Sequence, residues 1–253
     1  MISLDKRTED AESSIISLLK KEQARGVDLG ELSAQVEIAI DFSGSMLPRF
    51  RTAGDQPSEV QTVVERALAL SLSGLDDDGV VPVHFFHNRD FPAELVDRTN
   101  YVGFVDRWAA QHRMGGTAYG PTIGNILGGV AKNKIFGKPK VLATPEVLEA
   151  EKDAPPKFIL FVTDGAPADQ GAVTKMLVEA AGRPFFWQFI GLGYSPAFLN
   201  KLDTMGNRVV DNVGLTEYQD TLSMTDEQFF DDIIGEFFGK WLPEARRLGI
   251  TRR

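Results

Sequence analysis

Hydrophobic residues along the chain fall into two kinds of pattern. Short runs that are mostly apolar predict strands buried on both faces, at residues 36–40, 80–86, 158–162, 185–190 and 208–210. Between these runs, apolar residues recur every three or four positions, which is typical of helices with one buried face. Because strands and helices alternate, we expect an α/β fold, a doubly wound and mostly parallel sheet flanked by helices.

The start of the chain has a helical pattern of its own. Within residues 11–19, apolar or small side chains recur on one face, and the pattern breaks at Gly26. We therefore predict an N-terminal helical extension over residues 1–33, packed on one domain that spans residues 34–253. Within that domain, residues 136–156 lose the periodicity and gather prolines, so we expect a surface insertion there.

The last part of the chain predicts a closing helix. Thr225 and Gln228 have the spacing of a capping box, in which each side chain bonds the backbone N–H of the other residue. The apolar positions that follow, as far as Trp241, form one broad face. We interpret this segment as a helix that packs on the sheet.

Charge and composition narrow the classes of function. The 253 residues include 27 Lys and Arg against 36 Asp and Glu, a formal net charge of −9. An acidic surface repels phosphate backbones, so we expect no nucleic-acid partner. The absence of cysteine excludes disulfides, thiolate metal sites and cysteine nucleophiles. The charged first residues do not have the pattern of a secretory signal, and no apolar run reaches the length of a membrane span. We therefore expect a cytoplasmic protein without membrane insertion.

Oxygen-bearing side chains follow two of the predicted strands and one glycine-rich loop. Asp41, Ser43 and Ser45 lie in a turn directly after the first strand, Asp164 follows the third, and Thr117 follows a Gly-Gly pair. Loops at the carboxyl ends of strands meet at the switch point of a doubly wound sheet, so these side chains should converge. Carboxylates and hydroxyls offer only hard oxygen ligands. The sequence therefore predicts a divalent-cation site, with Mg²⁺ preferred and Mn²⁺ or Ca²⁺ as alternatives.

Three separated segments resemble a known metal site. Residues 40–46 (IDFSGSM), 115–117 (GGT) and 162–165 (VTDG) are similar to the metal-ion-dependent adhesion site (MIDAS) of von Willebrand factor A (vWA) domains. Further segments resemble, more narrowly, the vWA domains of the bacterial tellurium-resistance (Ter) stress-response group, at residues 76–79, 186–191 and 208–212. The likeness runs from about residue 36 to residue 250, and the generic vWA pattern does not include the predicted extension or insertion.

The resemblance implies a role for each of the five motif residues. Ser43 and Ser45 would ligate the metal through their hydroxyls, and Asp41 and Asp164 would do so directly or through water. Thr117 would ligate directly or through water according to the conformational state. In this family an acidic side chain of a partner protein completes the coordination. We therefore expect a non-enzymatic, metal-dependent protein-binding module in tellurite or chemical stress, with other Ter proteins among the candidate partners.

The sequence leaves several alternatives open. The cluster could be only a polar turn, or its metal could serve only to stabilise loops. A metal-dependent phosphoester hydrolase is a second function, although no general base or phosphate-binding Arg or Lys is evident beside the motif. An adaptor for an ATPase partner is a third. His84 and His87, three residues apart on a predicted strand, point to opposite faces and make a poor metal pair.

Overall fold

Strands and helices alternate along the chain. The structure is a computed structural model and describes residues 2–52, 54, 56–76, 78–128, 130–131, 140–141, 144–193 and 197–253. The strands of this part are β1 (Gln35–Asp41), β2 (Val81–Phe86), β3 (Glu94–Val96), β4 (Val130–Ala131), β5 (Lys140–Val141), β6 (Lys157–Thr163), β7 (Phe185–Leu192) and β8 (Val213–Tyr218). The α-helices are α1 (Leu4–Ala24), α2 (Glu59–Leu70), α3 (Phe104–Ala109), α4 (Gly120–Ile126), α5 (Pro145–Glu151), α6 (Gln170–Ala180), α7 (Ala197–Asp203), α8 (Asp226–Glu236) and α9 (Leu242–Arg247). Two 3₁₀ segments, Gly44–Phe50 and Thr221–Ser223, and two π-helical turns, Ser71–Leu75 and Phe237–Trp241, lie between them.

Within the described residues, six strands form the central sheet in the order β3, β2, β1, β6, β7, β8. Neighbouring strands are parallel except for β3, which lies antiparallel to β2 at one edge. From β1 the chain first builds one half of the sheet and then returns to the other side of β1 with β6. The carboxyl ends of β1 and β6 are therefore neighbours at the switch point, with Ile40 opposite Val162. This topology confirms the predicted α/β fold.

Helices cover both faces of the sheet. One apolar cluster joins α2 and the closing helix to one face, and a second joins α4, α6 and α7 to the other. Phe158 of β6 stacks on Phe237, with ring centroids 4.6 Å apart. The predicted closing helix is confirmed, as α8, a π-helical turn and α9, and the capping box of Thr225 and Gln228 is formed. No helix of the described residues is long and apolar enough to span a membrane.

The N-terminal helix α1 packs against α2 and α8 through a buried ion network. Arg7 Nη1 and Arg66 Nε lie 2.5 and 2.7 Å from Asp226 Oδ1. Arg7 Nε also lies 3.4 Å from Glu65 Oε2, and all four side chains are almost fully buried. The helix runs from Leu4 to Ala24, so it extends beyond the pattern seen in the sequence at both ends. The boundary at residue 33 stays a prediction.

One predicted strand is wrong. Residues 208–210 form no strand, and the edge of the sheet is instead β8, which begins three residues later. The Arg208 guanidinium donates to the backbone oxygens of Asp203 and Met205, at 2.9 and 3.0 Å, and Val209 is 65% exposed. These contacts hold the segment as a turn. The sequence gives no continuous apolar run for β8, because Gly214 interrupts its apolar positions and Thr216 and the exposed Glu217 are polar.

The predicted insertion at residues 136–156 falls partly outside the described residues, which omit 132–139 and 142–143. Its described part contains helix α5, which has no fully buried residue. Arg183, at the amino end of β7, donates to Glu151 at 2.9 Å and ties this helix to the sheet. That the whole stretch is an insertion remains a prediction.

Candidate metal centre

Three loops meet at the carboxyl ends of β1 and β6. Asp41 is the last residue of β1, and Asp164 directly follows β6. The loop that carries Thr117 runs beside the turn after β1, because Gly44 N donates to Gly115 O at 3.1 Å. Gly115 N in turn donates to the backbone oxygen of residue 42 at 3.3 Å. Parallel pairing of the strands and this short bridge therefore bring the three predicted segments to one place.

Four of the five predicted ligands belong to one hydrogen-bonded group. Ser43 N donates to Asp41 Oδ1 at 2.8 Å, and the hydroxyls of Ser43 and Ser45 lie 3.1 Å apart. Ser45 Oγ donates to Asp164 Oδ1 at 2.7 Å. Thr117 lies in the neighbouring loop, where its backbone oxygen accepts from the backbone N–H of residue 168 at 2.9 Å, and its hydroxyl takes no part in this group. The role of all five residues as metal ligands stays a prediction.

The oxygen atoms of this group have spacings that fit a small dication. An octahedral Mg²⁺ holds its ligands at about 2.1 Å, so adjacent ligand oxygens lie about 3.0 Å apart. The Ser43–Ser45 and Ser45–Asp164 oxygen distances, 3.1 and 2.7 Å, are close to this value. Among the described residues, no group of three or more histidine or acidic side chains is placed to hold a metal. A metal here would therefore depend on hydroxyls as well as on two carboxylates.

Burial and the charge of Asp164 make the Asp41 carboxyl a weaker acid than an exposed aspartate. Burial raises the pKa of Asp41 to about 6, against hydrogen bonds from Thr163 and Ser43 that lower it. The nearby charge of Asp164 contributes to the rise. A positive charge placed between the two carboxylates would favour the ionised form of both.

The group is accessible from one direction. Asp41 and Ser43 are 0% and 2% exposed, whereas Ser45 is exposed and Asp164 and Thr117 are half-buried. The buried members lie at the end of the central strand, and the exposed members lie at the rim. A ligand that entered from solvent would therefore meet Ser45 and Asp164 first.

Hydrogen bonds that the sequence analysis missed hold Asp41 in position. Thr163, the last residue of β6, donates from its hydroxyl to Asp41 Oδ2 at 2.7 Å. Tyr119 donates from its hydroxyl to Thr163 Oγ1 at 3.0 Å and also to the backbone oxygen of Gly165. Burial raises the pKa of Tyr119, so its hydroxyl stays protonated and able to donate. Thr163 was visible in the sequence as part of the VTDG segment, but nothing there marked Tyr119.

A second missed residue fixes the Thr117 loop. The Asp169 carboxylate accepts from the backbone N–H groups of Tyr119 and Gly120, at 3.1 and 2.8 Å, at the start of α4. It therefore links the loop after β6 to the segment that follows Thr117. Gly115 also limits this loop, because a Cβ at that position would lie 2.8 Å from His87 Cγ.

The two histidines serve structural contacts. His84 Nε2 lies 3.2 Å from Glu37 Oε2, and His87 Nδ1 accepts from Arg89 N at 3.1 Å. Lys157 also pairs with Glu37. Both histidines therefore have hydrogen-bond partners within the fold.

Comparison with known proteins shows the family. A family model described as vWA-TerF-like, a vWA domain found in the TerF C terminus, matches residues 33–251. The chain is 30% identical over 245 residues to the protein YcbR of Bacillus subtilis (strain 168), covering 94% of this chain and 88% of YcbR.

Solved structures with vWA domains are also similar to the chain. A von Willebrand factor type A protein from Catenulispora acidiphila has 18% identity and a TM-score of 0.47. The alignment covers 80% of this chain and 43% of that one, so the chain spans less than half of that protein's length. Proximal thread matrix protein 1 from the mussel byssus, solved with a zinc-occupied MIDAS motif, has 15% identity and a TM-score of 0.41, covering 87% of this chain and 48% of that one.

Proposed function

The chain belongs to the vWA-TerF-like family, and we propose that it is a non-enzymatic module that binds a partner protein through a divalent metal ion, preferably Mg²⁺. The partner supplies an acidic side chain to the metal. The observation that carries this proposal is the hydrogen-bonded oxygen group of Asp41, Ser43, Ser45 and Asp164 at the carboxyl ends of two adjacent strands.

Each residue has a definite task in this proposal. The hydroxyls of Ser43 and Ser45 are direct ligands, and Asp41 and Asp164 supply the two negative charges, directly or through water. Thr117 completes the set from the neighbouring loop. A bound dication provides positions that water or an incoming carboxylate can fill. Two carboxylates leave such a site close to neutral, which favours acceptance of one more acid.

The chain's own contacts prepare the site for this role. Hydrogen bonds from Thr163 and from the Ser43 backbone fix both oxygens of the Asp41 carboxylate. Such outer contacts orient a ligand and exclude alternative positions. The exposed Ser45 and half-buried Asp164 leave one side of the site open, so a partner can approach there without any rearrangement of β1.

We extend the proposal to tellurite or general chemical stress, with other Ter proteins as candidate partners, because the matching family is named for TerF. Cytoplasmic localisation belongs to the same proposal. Direct capture of tellurite by this chain is not part of it, because the chain has no cysteine and a net charge of −9.

Calorimetric titration of metal-free protein with Mg²⁺ and with Mn²⁺ tests the site. We expect saturable binding of one ion, lost in Asp164→Ala and weakened in Ser45→Ala. Ser223→Ala is the matched control, because Ser223 is also an exposed serine but bonds only the backbone oxygen of Asp220. Equal binding by the wild-type protein, Asp164→Ala and Ser45→Ala would refute the site.

Affinity capture tests the partner. Wild-type protein and the Ser45→Ala variant serve as baits in lysate of the source organism, each with Mg²⁺ and with chelator. We expect a protein that is retained only by the wild-type bait in Mg²⁺. Metal binding without any metal-dependent capture would contradict the partner role, and Mg²⁺-dependent hydrolysis of a phosphoester that Asp164→Ala abolishes would show an enzyme instead.

A further inference from the structure

Three exposed arginines have guanidinium groups that are free to bind a partner. Arg51, Arg89 and Arg113 make no side-chain hydrogen bond or ion pair within the described residues. Every other arginine of the chain donates from its guanidinium to a carboxylate or to a backbone oxygen. Arg51 follows the 3₁₀ segment after β1, Arg89 follows β2, and Arg113 lies in the Thr117 loop. The free guanidinium groups are therefore all found in segments at the metal-centre end of the sheet.

The backbone places two of these arginines beside the metal centre. Arg113 is two residues before Gly115, whose backbone bonds the turn after β1 that carries the predicted serine ligands. Arg89 directly follows Asn88, and the Asn88 Oδ1 atom would lie 3.0 Å from a Cβ at position 115. The loop after β2 and the Thr117 loop therefore meet at this glycine, next to the metal centre.

Arg89 is oriented without the use of its hydrogen-bond donors. Its guanidinium carbon lies 4.9 Å from the centroid of the Phe91 ring. That ring packs edge-on against Trp108 and His112, with centroids 5.1 and 5.2 Å apart. A guanidinium that stacks on an aromatic ring keeps its N–H groups available, and their planar arrangement matches the two oxygens of a carboxylate. Arg89 is therefore prepared to bind an acid.

The acidic residues close to these loops already have other partners. Asp90 accepts from a threonine hydroxyl and an asparagine amide of α4, at 2.5 and 2.8 Å. Asp169 accepts from two backbone N–H groups at the start of the same helix. Asp41 and Asp164 belong to the metal centre. Within the described part of the chain, none of these carboxylates pairs with the two arginines, so an acid from outside can do so.

We propose that the partner segment carries two acidic side chains, one for the metal ion and a second, two to four residues away, for Arg89 and Arg113. This inference rests on the proposed function, because the first acid is the one that binds the metal. The spacing follows from the backbone: two residues separate Arg113 from Gly115, which is at most about 7 Å, and each residue of an extended partner covers about 3.3 Å. Nucleic acid fits less well, because the net charge of −9 repels a polyanion.

Fluorescence anisotropy with short synthetic peptides tests the inference on the full chain loaded with Mg²⁺. Each labelled Gly/Ser peptide carries either one Asp or two Asp that are two to four residues apart. We expect the best two-Asp peptide to bind the wild-type protein about tenfold more tightly than the one-Asp peptide, because the second carboxylate forms charge-assisted hydrogen bonds. The double variant Arg89→Ala, Arg113→Ala should lose this preference, while calorimetry should show that it still binds Mg²⁺.

Two further variants control for a general effect of charge. Arg247→Ala removes an exposed arginine from α9, a helix that contacts the segment before β1, and it should keep the preference for two Asp. The double variant Arg89→Glu, Arg113→Glu should reverse the preference, so that a peptide with one Asp and one Lys binds more tightly than the two-Asp peptide.

The outcomes separate this inference from the proposed function. If the one-Asp peptide bound in a Mg²⁺-dependent manner and the second Asp gave no gain, the inference would be overturned and the proposed function would stand. A gain that survived in the Arg89→Ala, Arg113→Ala variant would have the same meaning. Failure of every peptide to bind in Mg²⁺ would contradict both. Binding of a labelled oligonucleotide that the same variant abolished would show a nucleic-acid site instead.

Discussion

Replacing Thr163 with valine removes the hydroxyl that donates to Asp41 Oδ2 at 2.7 Å. Valine has nearly the same shape as threonine, so the packing of β6 should change little. Tyr119 keeps its bond to the backbone oxygen of Gly165 and stays in place. The substitution removes the bond to the buried Asp41 carboxylate and also the acceptor that Thr163 Oγ1 offers to the Tyr119 hydroxyl at 3.0 Å and to Gly165 N at 3.3 Å.

The expected loss of metal affinity follows from the position of this bond. Contacts that orient a ligating carboxylate typically contribute about 10–100-fold in metal affinity, or about 1.4–2.7 kcal/mol. Thr163 holds one of the two oxygens of a fully buried carboxylate, so Thr163→Val should lie within this range. The same deletion should also lower the free energy of unfolding by about 1.5–3 kcal/mol, because the lost bond is to a charged group.

A matched variant separates the two effects. Thr122 is also fully buried, and its hydroxyl donates to a carboxylate, that of Asp90, at 2.5 Å. Thr122→Val should therefore cost similar stability in urea denaturation while leaving metal affinity unchanged. Calorimetric titration with Mg²⁺ or Mn²⁺ measures the affinities. If Thr163→Val bound the metal within about twofold of wild type, or if Thr122→Val lost as much affinity, the argument for Thr163 as a positioning residue would fail.

Three further outcomes follow from contacts elsewhere in the fold. Asp226→Ala should lower the free energy of unfolding, measured in urea, by about 3–5 kcal/mol, because two buried guanidinium groups lose their carboxylate. Asp5→Ala is the control, since it removes an exposed ion pair and should cost at most about 1 kcal/mol. Equal losses in the two variants would contradict the role of the buried network. Gly115→Ala should reduce both thermal stability and Mg²⁺ affinity, because its Cβ would lie 2.8 Å from an imidazole carbon. Gly116→Ala is the control and should change neither, because no atom lies within 4 Å of the added Cβ. Matching results for the two variants would refute the steric argument. Burial raises the pKa of Glu37, but hydrogen bonds from its His and Lys neighbours outweigh this effect and hold the pKa below 4.5. The ionised carboxylate therefore stabilises the fold above pH 4.5, and this contribution is lost as the pH falls through the folded-state pKa. Glu37→Gln should therefore flatten the acid limb of the urea midpoint against pH, and an unchanged limb would show that this carboxylate does not contribute.

The sequence predicts the position of the candidate metal centre because its parts follow regular elements. Asp41 and Asp164 each come directly after an apolar strand, and the geometry of parallel sheets brings such strand ends together. Ser43 and Ser45 lie in the turn that directly follows Asp41, so they reach the same place. The convergence of the oxygens therefore needs only the order of the elements, not their detailed packing.

The contacts that support this centre are not predictable in the same way. Tyr119 and Asp169 act across loops 50 residues apart, and no local pattern marks either residue. The same holds for Arg7 and Asp226, which are 219 residues apart. With 27 basic and 36 acidic residues in the chain, composition alone cannot match such partners. These pairings depend on how helices lie on the sheet.

The error at residues 208–210 has a local cause. Three residues are too few for hydrophobic pattern to distinguish a strand from a turn. The Arg208 guanidinium bonds the backbone oxygens of Asp203 and Met205, which ties the start of this segment to the end of helix α7. These short-range contacts of a side chain with the backbone override the apolar character of the two valines that follow.

The π-helical turn of the closing helix explains an unusual regularity in its sequence. Phe229, Ile233, Phe237, Trp241 and Ala245 are all buried and are spaced four residues apart. Four residues of an ideal α-helix rotate the chain by about 40° more than one full turn, so such a row would drift by about 160° over this length. A wider turn advances through a smaller angle per residue and corrects the phase. The strict four-residue spacing of these buried positions thus requires the wide turn. Removing one residue from the helix would rotate the side chains after the deletion by about 100° around the helix axis.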